Sequence, residues 1–453
     1  MIRTAAGWRE SLGVYAQPRV RAMLLLGFSS GLPFPLLLTT LSAWLRQSGI
    51  ERTTIGYFSW VGLAYSLKYF WAPFVDRLHL PFLNRLGRRR SWMLLAQFGV
   101  ALGLLCMARQ DPIGSATAAS IALLAVLTAF ASATQDIAVD AYRIEAVGTE
   151  LQGAMAAAYS MGYQLALLAA GAGALFTAAA YGWTTAYCMI AACMAVGMVT
   201  TLLIAEPEAK IDRATLAQEQ RVVEFLARSA HWPAALRQAM AWLIGAVVCP
   251  FVDFFSRQGL RLGLLLLALI VTYRLNYTTM GVAANSFYID LGFTLNQIGA
   301  ISKVYGVIMT IVGGLIGGLL VARYSFYRAL LTGLLLLSAA NLFYAYVAGL
   351  HRPGVDWLAA AVSIDNIGNG IAGTAFIAYM SSLTNTAYTA TQYALFGTLW
   401  SLPAKSIAGF WGTIVDAYGY QPFFVYTAAM GAPALLLILY LMHRAPAPAP
   451  ARA

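Results

Sequence analysis

Apolar runs of about 20 residues recur along this chain, long enough for an α-helix to cross the hydrocarbon core of a bilayer. Seven ionisable side chains are set inside them: Lys68, Asp136, Asp140, Arg274, Lys303, Asp365 and Lys405. A charge near the bilayer centre costs about 2.5–3.5 kcal/mol on insertion scales. Seven such costs are tolerable only where the charges meet partners of opposite sign or face a water-filled cavity. The sequence therefore predicts an all-α integral membrane protein, a helix bundle with a polar pathway through its middle.

Composition narrows the function classes. The 453 residues are 60% hydrophobic and 10% charged, whereas a soluble domain carries about 25% charged residues. The net charge of +11 does not call for nucleic acid, because the arginines gather in short connections between apolar runs. Positive-inside topology accounts for them. Cys106, Cys188, Cys193 and Cys249 show no metal-ligand spacing, and His79, His231, His351 and His443 all fall in loops or tails. No Ser/His/Asp set or nucleotide loop is visible, so neither an enzyme nor a bound cofactor or metal is expected. The first 18 residues are polar to amphipathic and do not read as a cleavable signal peptide.

Twelve spans are expected, at 20–45, 54–74, 91–109, 116–140, 151–178, 183–204, 260–286, 294–322, 327–349, 356–381, 389–415 and 421–442. With the N-terminus in the cytoplasm, 21 of the 29 Lys and Arg lie on that side. That bias places both termini there. The chain divides into a first bundle at 1–204, a connection at 205–259 and a second bundle with a short tail at 260–453. Within the connection, Ala239 to Val252 is apolar but short and is broken by Pro250, so an interfacial helix on the inner leaflet is expected. Carriers with two such halves hold substrate near the midplane between them.

A loop repeat agrees. Ala72-Pro-Phe-Val-Asp76-Arg77 followed by Asn84-Arg85-Leu-Gly87-Arg88-Arg89-Arg90 is echoed by Gly317-Gly318 and Arg323 in the second half. These loops resemble the signature of the major facilitator superfamily. Asp76, Arg77, Arg88 and Arg89 are the expected cytoplasmic gate. In that superfamily the third, sixth, ninth and twelfth helices are peripheral. Here those four hold no ionisable residue in their interiors.

Asp136 and Asp140 are four apart on span 4 and share one helix face. Two carboxylates in a low-dielectric site repel, which favours one shared proton; the pair either couples to protons or only pairs with Arg143 or Lys68. Lys68 either faces the cavity or snorkels to the interface. Arg274 is too deep in span 7 to snorkel and is flanked by Tyr273, Asn276 and Tyr277. A guanidinium binds carboxylates bidentately. Asp365, with Asn366 and Asn369, either neutralises Lys303 or Lys405 or touches substrate directly. The Gly313-Gly314 and Gly317-Gly318 pairs read as close helix packing.

Gly27-Phe-Ser-Ser-Gly31-Leu-Pro33, Val61-Gly-Leu-Ala-Tyr65-Ser-Leu-Lys68-Tyr-Phe-Trp71, Ala133-Thr-Gln135-Asp136-Ile-Ala-Val-Asp140-Ala-Tyr142 and Ala390-Thr-Gln392-Tyr393 resemble the AmpG family of muropeptide permeases. The resemblance runs over about 20–440 and implies a proton-driven importer of GlcNAc-anhydro-N-acetylmuramyl peptides for peptidoglycan recycling. Asp136 and Asp140 match that family's acidic pair. At Gly162-Tyr163-Gln164 this chain has Gln where related sequences commonly have Arg.

The expectation is a monomeric carrier working by alternating access in the lipid bilayer, with protons and a sugar–peptide as its partners. Asp136 and Asp140 would couple protons. Tyr65, Lys68, Gln135, Gln164, Arg274, Asn276, Lys303, Asp365, Asn369, Gln392 and Lys405 would meet substrate. The alternatives are a same-fold carrier of another solute, such as a siderophore or acyl-CoA, and a membrane sensor that moves nothing.

Overall fold

The computed structural model describes residues 13–444 apart from 49, 51–58, 79, 82, 111–114, 208–221, 230, 351–352 and 409. Helical stretches occupy the places read from apolar length: α1 (Pro18–Leu45), α2 (59–77), α3 (Arg88–Ala108), α4 (Ser115–Glu145), α5 (Thr149–Tyr181), α6 (Trp183–Leu203), α7 (Leu260–Asp290), α8 (Gly299–Arg323), α9 (Phe326–Ala348), α10 (Val355–Leu383), α11 (Thr389–Ala408) and α12 (Tyr420–His443). Among the described residues, nine of these, all but α2, α10 and α11, are both long and apolar enough to cross a membrane. The exceptions have a cause. Polar residues dilute α10 (Asp365, Asn366, Asn369) and α11 (Gln392, Lys405), while α2 is a chain of short turns interrupted at Lys68 and Trp71.

Apolar side chains cover the exterior: Phe70, Phe176 and Leu203 are 72%, 76% and 80% exposed. Such surface suits lipid rather than water. In lipid the hydrophobic effect no longer drives helices together, so close backbone packing through small residues has to. Gly27 and Gly31 of α1 press against the α5 backbone at Tyr159 and Tyr163. In the second half Gly313 and Gly317 of α8 press against α10 at Ile367 and Ile371, so these glycines are packing residues.

The halves meet through α5 against α8 and α10, and through α11 against α2 and α4. Gly153 and Ala157 of α5 lie against Gly318 of α8 with no room for a Cβ on either glycine. This crossing is at the end of the bundle that carries the arginine-rich connections, called here the basic end. The apolar cores join there too: Ile144 and Ala156 belong to the second half's core, and Ala390 and Ala394 to the first half's.

Two boundaries differ from expectation. Helix α4 continues to Glu145 instead of stopping near 140, which brings Arg143 inside the bundle at 0% exposure. The connecting segment forms helices Ala234–Leu243 and Cys249–Gln258, joined by a π-helical turn at Ile244–Val248. Instead of only lying along a leaflet, it is anchored in protein. Asp253, fully buried, accepts from Asn385 Nδ2 (3.0 Å), Gln392 Nε2 (2.9 Å) and Arg257 Nε (2.9 Å).

Candidate functional site

Between the halves, beyond the α5–α8 crossing, lies a cavity of about 320 Å³. The first half contributes Asp136 from α4 and Tyr159, Tyr163 and Gln164 from α5; the second contributes Arg274 from α7 and Asn369 from α10. Arg274 arrives there because α7 breaks: helix Leu260–Thr272 ends, Arg274 takes φ −102° and ψ 4°, and the helix restarts at Leu275. Its Nη2 donates to Asn369 Oδ1 at 3.0 Å and its guanidinium carbon sits 4.5 Å from the Tyr277 ring centroid. Its Nη1 is buried with no hydrogen-bond partner.

Facing it from the first half, Asp136 Oδ1 is likewise buried and unpartnered. A buried polar atom left without a partner is costly, and here two such atoms, on side chains of opposite sign, line one void. Asp365 also has a buried, unpartnered Oδ1 and feels the field of Arg274. The cavity can therefore take an anion at Arg274 and neutral hydrogen-bonding groups along Tyr159, Tyr163 and Gln164, with a proton at Asp136.

Asp140 has a different setting from Asp136. Lys68 Nζ is 3.5 Å from its Oδ2, and Arg143 Nη2 is 3.3 Å from its Oδ1. Both cations come from the first half and reach toward the second. Arg143 Nη1 donates to Ser381 Oγ of α10 at 2.6 Å, and its guanidinium lies 5.0 Å from the Tyr393 ring centroid of α11.

The other expected substrate contacts are dispersed. Tyr65 donates to Ser132 Oγ at 2.9 Å. Gln135 is fully buried and donates to Ser29 Oγ at 2.9 Å. Asn276 is fully buried, close to Gly431. Lys405 donates to Ser66 Oγ at 3.1 Å across the α2–α11 contact. Gln392, expected to meet substrate, is instead at the basic end: Nε2 donates to Pro250 O and Asp253 Oδ2, both at 2.9 Å. A glutamine so fully satisfied has little left for a ligand. Lys303 falls in the π-helical turn Gly299–Tyr305, and its side chain lies outside the described residues.

The basic end is closed by charge. Arg89, 0% exposed, donates to Glu145 Oε2 (2.9 Å) and Oε1 (2.5 Å), to Asp76 Oδ1 (2.8 Å) and to Val75 O (3.1 Å). Arg88 Nη1 donates to Asp76 O at 2.7 Å. The same Asp76 crosses to the second half, accepting from the backbone N–H groups of Ala390 (3.1 Å) and Thr391 (2.8 Å) and from Thr391 Oγ1 (2.7 Å). Those amides open α11, so the carboxylate also meets the positive end of a helix dipole. Glu206 accepts from the amides of Arg89 and Arg90. Ahead of α1, Tyr15 donates to Leu315 O of α8 at 3.1 Å. Arg77 faces a second cavity of about 640 Å³ beside Trp242.

Sequence reasoning missed Glu145, Glu206, Asp253, the bridging role of Arg143, and the pair Tyr159/Tyr163. Ending span 4 near 140 hid Arg143 and Glu145. The tyrosines, four apart in an apolar span, carried a signal that could have been read.

Residues 22–405 match the model of the Major Facilitator Superfamily. A putative transporter, AmpG 4, of Rickettsia conorii is 33% identical over 94% of this chain and 97% of that protein. The anhydromuropeptide permease of Escherichia coli strain K12 is 35% identical over 95% of this chain and 81% of its own length. Among solved structures, the proton:xylose symporter XylE superposes with TM-score 0.63 at 10% identity, covering 97% of both chains. The human organic anion transporter MFSD10 gives 0.58 at 16% identity, covering 93% of this chain and all of that one. These two speak to the fold. Full-length similarity and a two-halved helical architecture agree: the chain belongs to the Major Facilitator Superfamily and, within it, to the AmpG transporters.

Proposed function

We propose that the protein imports GlcNAc-anhydro-N-acetylmuramyl peptides across the bacterial inner membrane with protons, by alternating access, in the service of peptidoglycan recycling. The observation that carries this reading is the pair of unpartnered buried groups, Asp136 Oδ1 and Arg274 Nη1, facing one cavity from opposite halves. The name of the Escherichia coli relative supports the substrate class. The basic end is the cytoplasmic face, as the arginine distribution favours, and both termini lie on it. The form described is then closed to the cytoplasm, with the cavity on the periplasmic side of the α5–α8 crossing.

Substrate enters from the periplasm and sets a carboxylate on Arg274, where a charge-assisted hydrogen bond replaces the missing partner. Gln164, Tyr159 and Tyr163 offer hydrogen bonds to sugar or amide groups. A proton on Asp136 removes its buried charge, and the halves 1–204 and 260–453 then rock about the connection 205–259. The protein acts as a monomer in the bilayer, performs no chemistry on its cargo and needs no bound cofactor beyond the proton gradient.

The experiment is uptake of a labelled anhydromuropeptide into proteoliposomes with and without an imposed pH gradient. Uptake should accelerate with the gradient in wild type. Asp136→Asn should lose that acceleration while keeping exchange of internal for external substrate. Wild-type uptake indifferent to the gradient would defeat the proton role. Arg274→Ala should weaken binding by about tenfold to a hundredfold; unchanged affinity removes it from the site.

A further inference from the structure

The residues ahead of α1 belong to the first half by sequence but reach the second. Val14–Ala16 form one 3-10 turn, and the Gln17 N–H donates to Val14 O at 3.2 Å. Gln17 is then extended, at φ −64° and ψ 137°. Pro18 opens α1, and a proline disfavours a helical residue before it. The turn therefore leaves the axis of α1 and meets α8. We propose that Tyr15 in this turn is a latch: its hydroxyl, carried by the first half, fastens α8 of the second and holds the basic end shut. The latch rests on the alternating-access reading above.

The ring and the hydroxyl of Tyr15 have different owners. The ring packs with Val14 against the first half's core, which holds Val20, Met23 and Ala154. Arg19 secures the start of α1 by donating to Ala146 O, just past the end of α4. The hydroxyl instead donates to Leu315 O of α8 at 3.1 Å. Gly318, three residues further along α8, makes the room. A Cβ there would collide with the Tyr15 hydroxyl, with Ala157 and with the Gly153 carbonyl. Gly153, Ala157 and Gly318 give the α5–α8 crossing only backbone and methyl contact, and Tyr15 adds a directional bond. The opposite seam, α2 against α11, is pinned by Asp76; Tyr15 pins this one. Burial lifts its pKa to about 12, so it stays a donor at any working pH.

When α5 and α8 part, apolar contacts keep the ring with α1, so the bond to Leu315 breaks and the hydroxyl turns to water. One neutral hydrogen bond biases a closed-to-open ratio by about threefold to tenfold. That is enough to set a resting preference and small enough for cargo to override. The empty carrier is thereby held in the form whose cavity lies beyond the crossing, ready to collect its load.

The test reads the basic end directly. Spin labels at Arg85 and Tyr324, both exposed and in the basic connections of opposite halves, are placed in a background lacking the four native cysteines. The populations of short and long separation are measured in lipid nanodiscs at one neutral pH, with and without a muropeptide. Tyr15→Phe keeps the ring and removes only the donor, so the short-to-long ratio should fall by the factor given above. Tyr15→Ala loses the ring as well and should shift the ratio at least as far. Tyr187 supplies a matched control, because its hydroxyl donates to Leu36 O at 2.9 Å wholly within the first half. Both ends of that bond travel together, so Tyr187→Phe should lower the thermal midpoint and leave the ratio unchanged.

A Tyr15→Phe protein with the wild-type distribution overturns the latch, even if Tyr15→Ala shifts, since packing alone would then account for the residue. An equal shift in Tyr187→Phe overturns it too, by making the effect one of general loosening. A wild type fixed at one separation under both conditions defeats alternating access and the latch with it. Absence of muropeptide uptake beside a shifted Tyr15→Phe distribution counts against the cargo and supports the latch.

Discussion

At the scale of single residues, Asp76 and Arg89 hold the closed end, and their burial makes the consequence of removing either one calculable in sign. Arg89→Ala leaves Asp76 and Glu145 buried without their guanidinium, and breaking a buried pair on one side costs about 3–5 kcal/mol. We expect a clear drop in the thermal midpoint of the purified protein, read by tryptophan fluorescence or size exclusion after heating. Asp76→Asn keeps an acceptor for the α11 amides but surrenders the charge, so the fold should survive while the closed population falls. Gln392→Leu offers the converse check. With its amide committed to Pro250 and Asp253, it should lower stability and leave muropeptide affinity within a factor of two. A large loss of affinity would place it in the cavity after all.

Much of this was legible in the residues. Charges that must not face lipid were recognisable as Lys68, Asp136, Asp140, Arg274 and Asp365, since cost alone singles them out. Which carbonyl, amide or hydroxyl each one meets was not, because a helix's rotation about its own axis is set by packing between distant segments. Gln392 shows the limit. Its polarity in an apolar span was visible, yet its partner is an aspartate 139 positions earlier, on a connection whose docking no local pattern reveals.

At the scale of elements, the glycines separate two kinds of helix contact. Gly313 packs on Ile367 within the second half, a contact that should persist throughout a transport cycle. Gly153 packs on Gly318 and Val321 across the halves, and this one must part for the basic end to open. We therefore expect Gly313→Leu to abolish accumulation of folded protein. Gly153→Leu should fold but be unable to shut its basic end, so a cysteine-directed probe reaches Gln164→Cys from that side in this background. Failure of the probe to react would mean that the α5–α8 crossing is not the barrier. The apolar runs announced where helices lie, but not that α7 would break at Arg274. The run Tyr273-Arg274-Leu275-Asn276 contains no Gly or Pro that would announce a break. The break brings the guanidinium to its partner Asn369 on α10.

For the molecule as a whole, the segment joining the halves is fastened unequally. Its start at Glu206 accepts from the amides of Arg89 and Arg90 in the first half. From residue 222 on, Asp253 ties it to Asn385 and Gln392 of the second half through hydrogen bonds, while ring contacts set Trp242 on Phe74 at 4.6 Å and Phe251 on Tyr69 at 6.3 Å. Covalent continuity between the bundles is thus not what aligns them. Produced as two separate polypeptides divided ahead of residue 222, the protein should reassemble in the membrane and recover uptake, the joining segment travelling with its C-terminal owner like a shoulder that belongs to one arm.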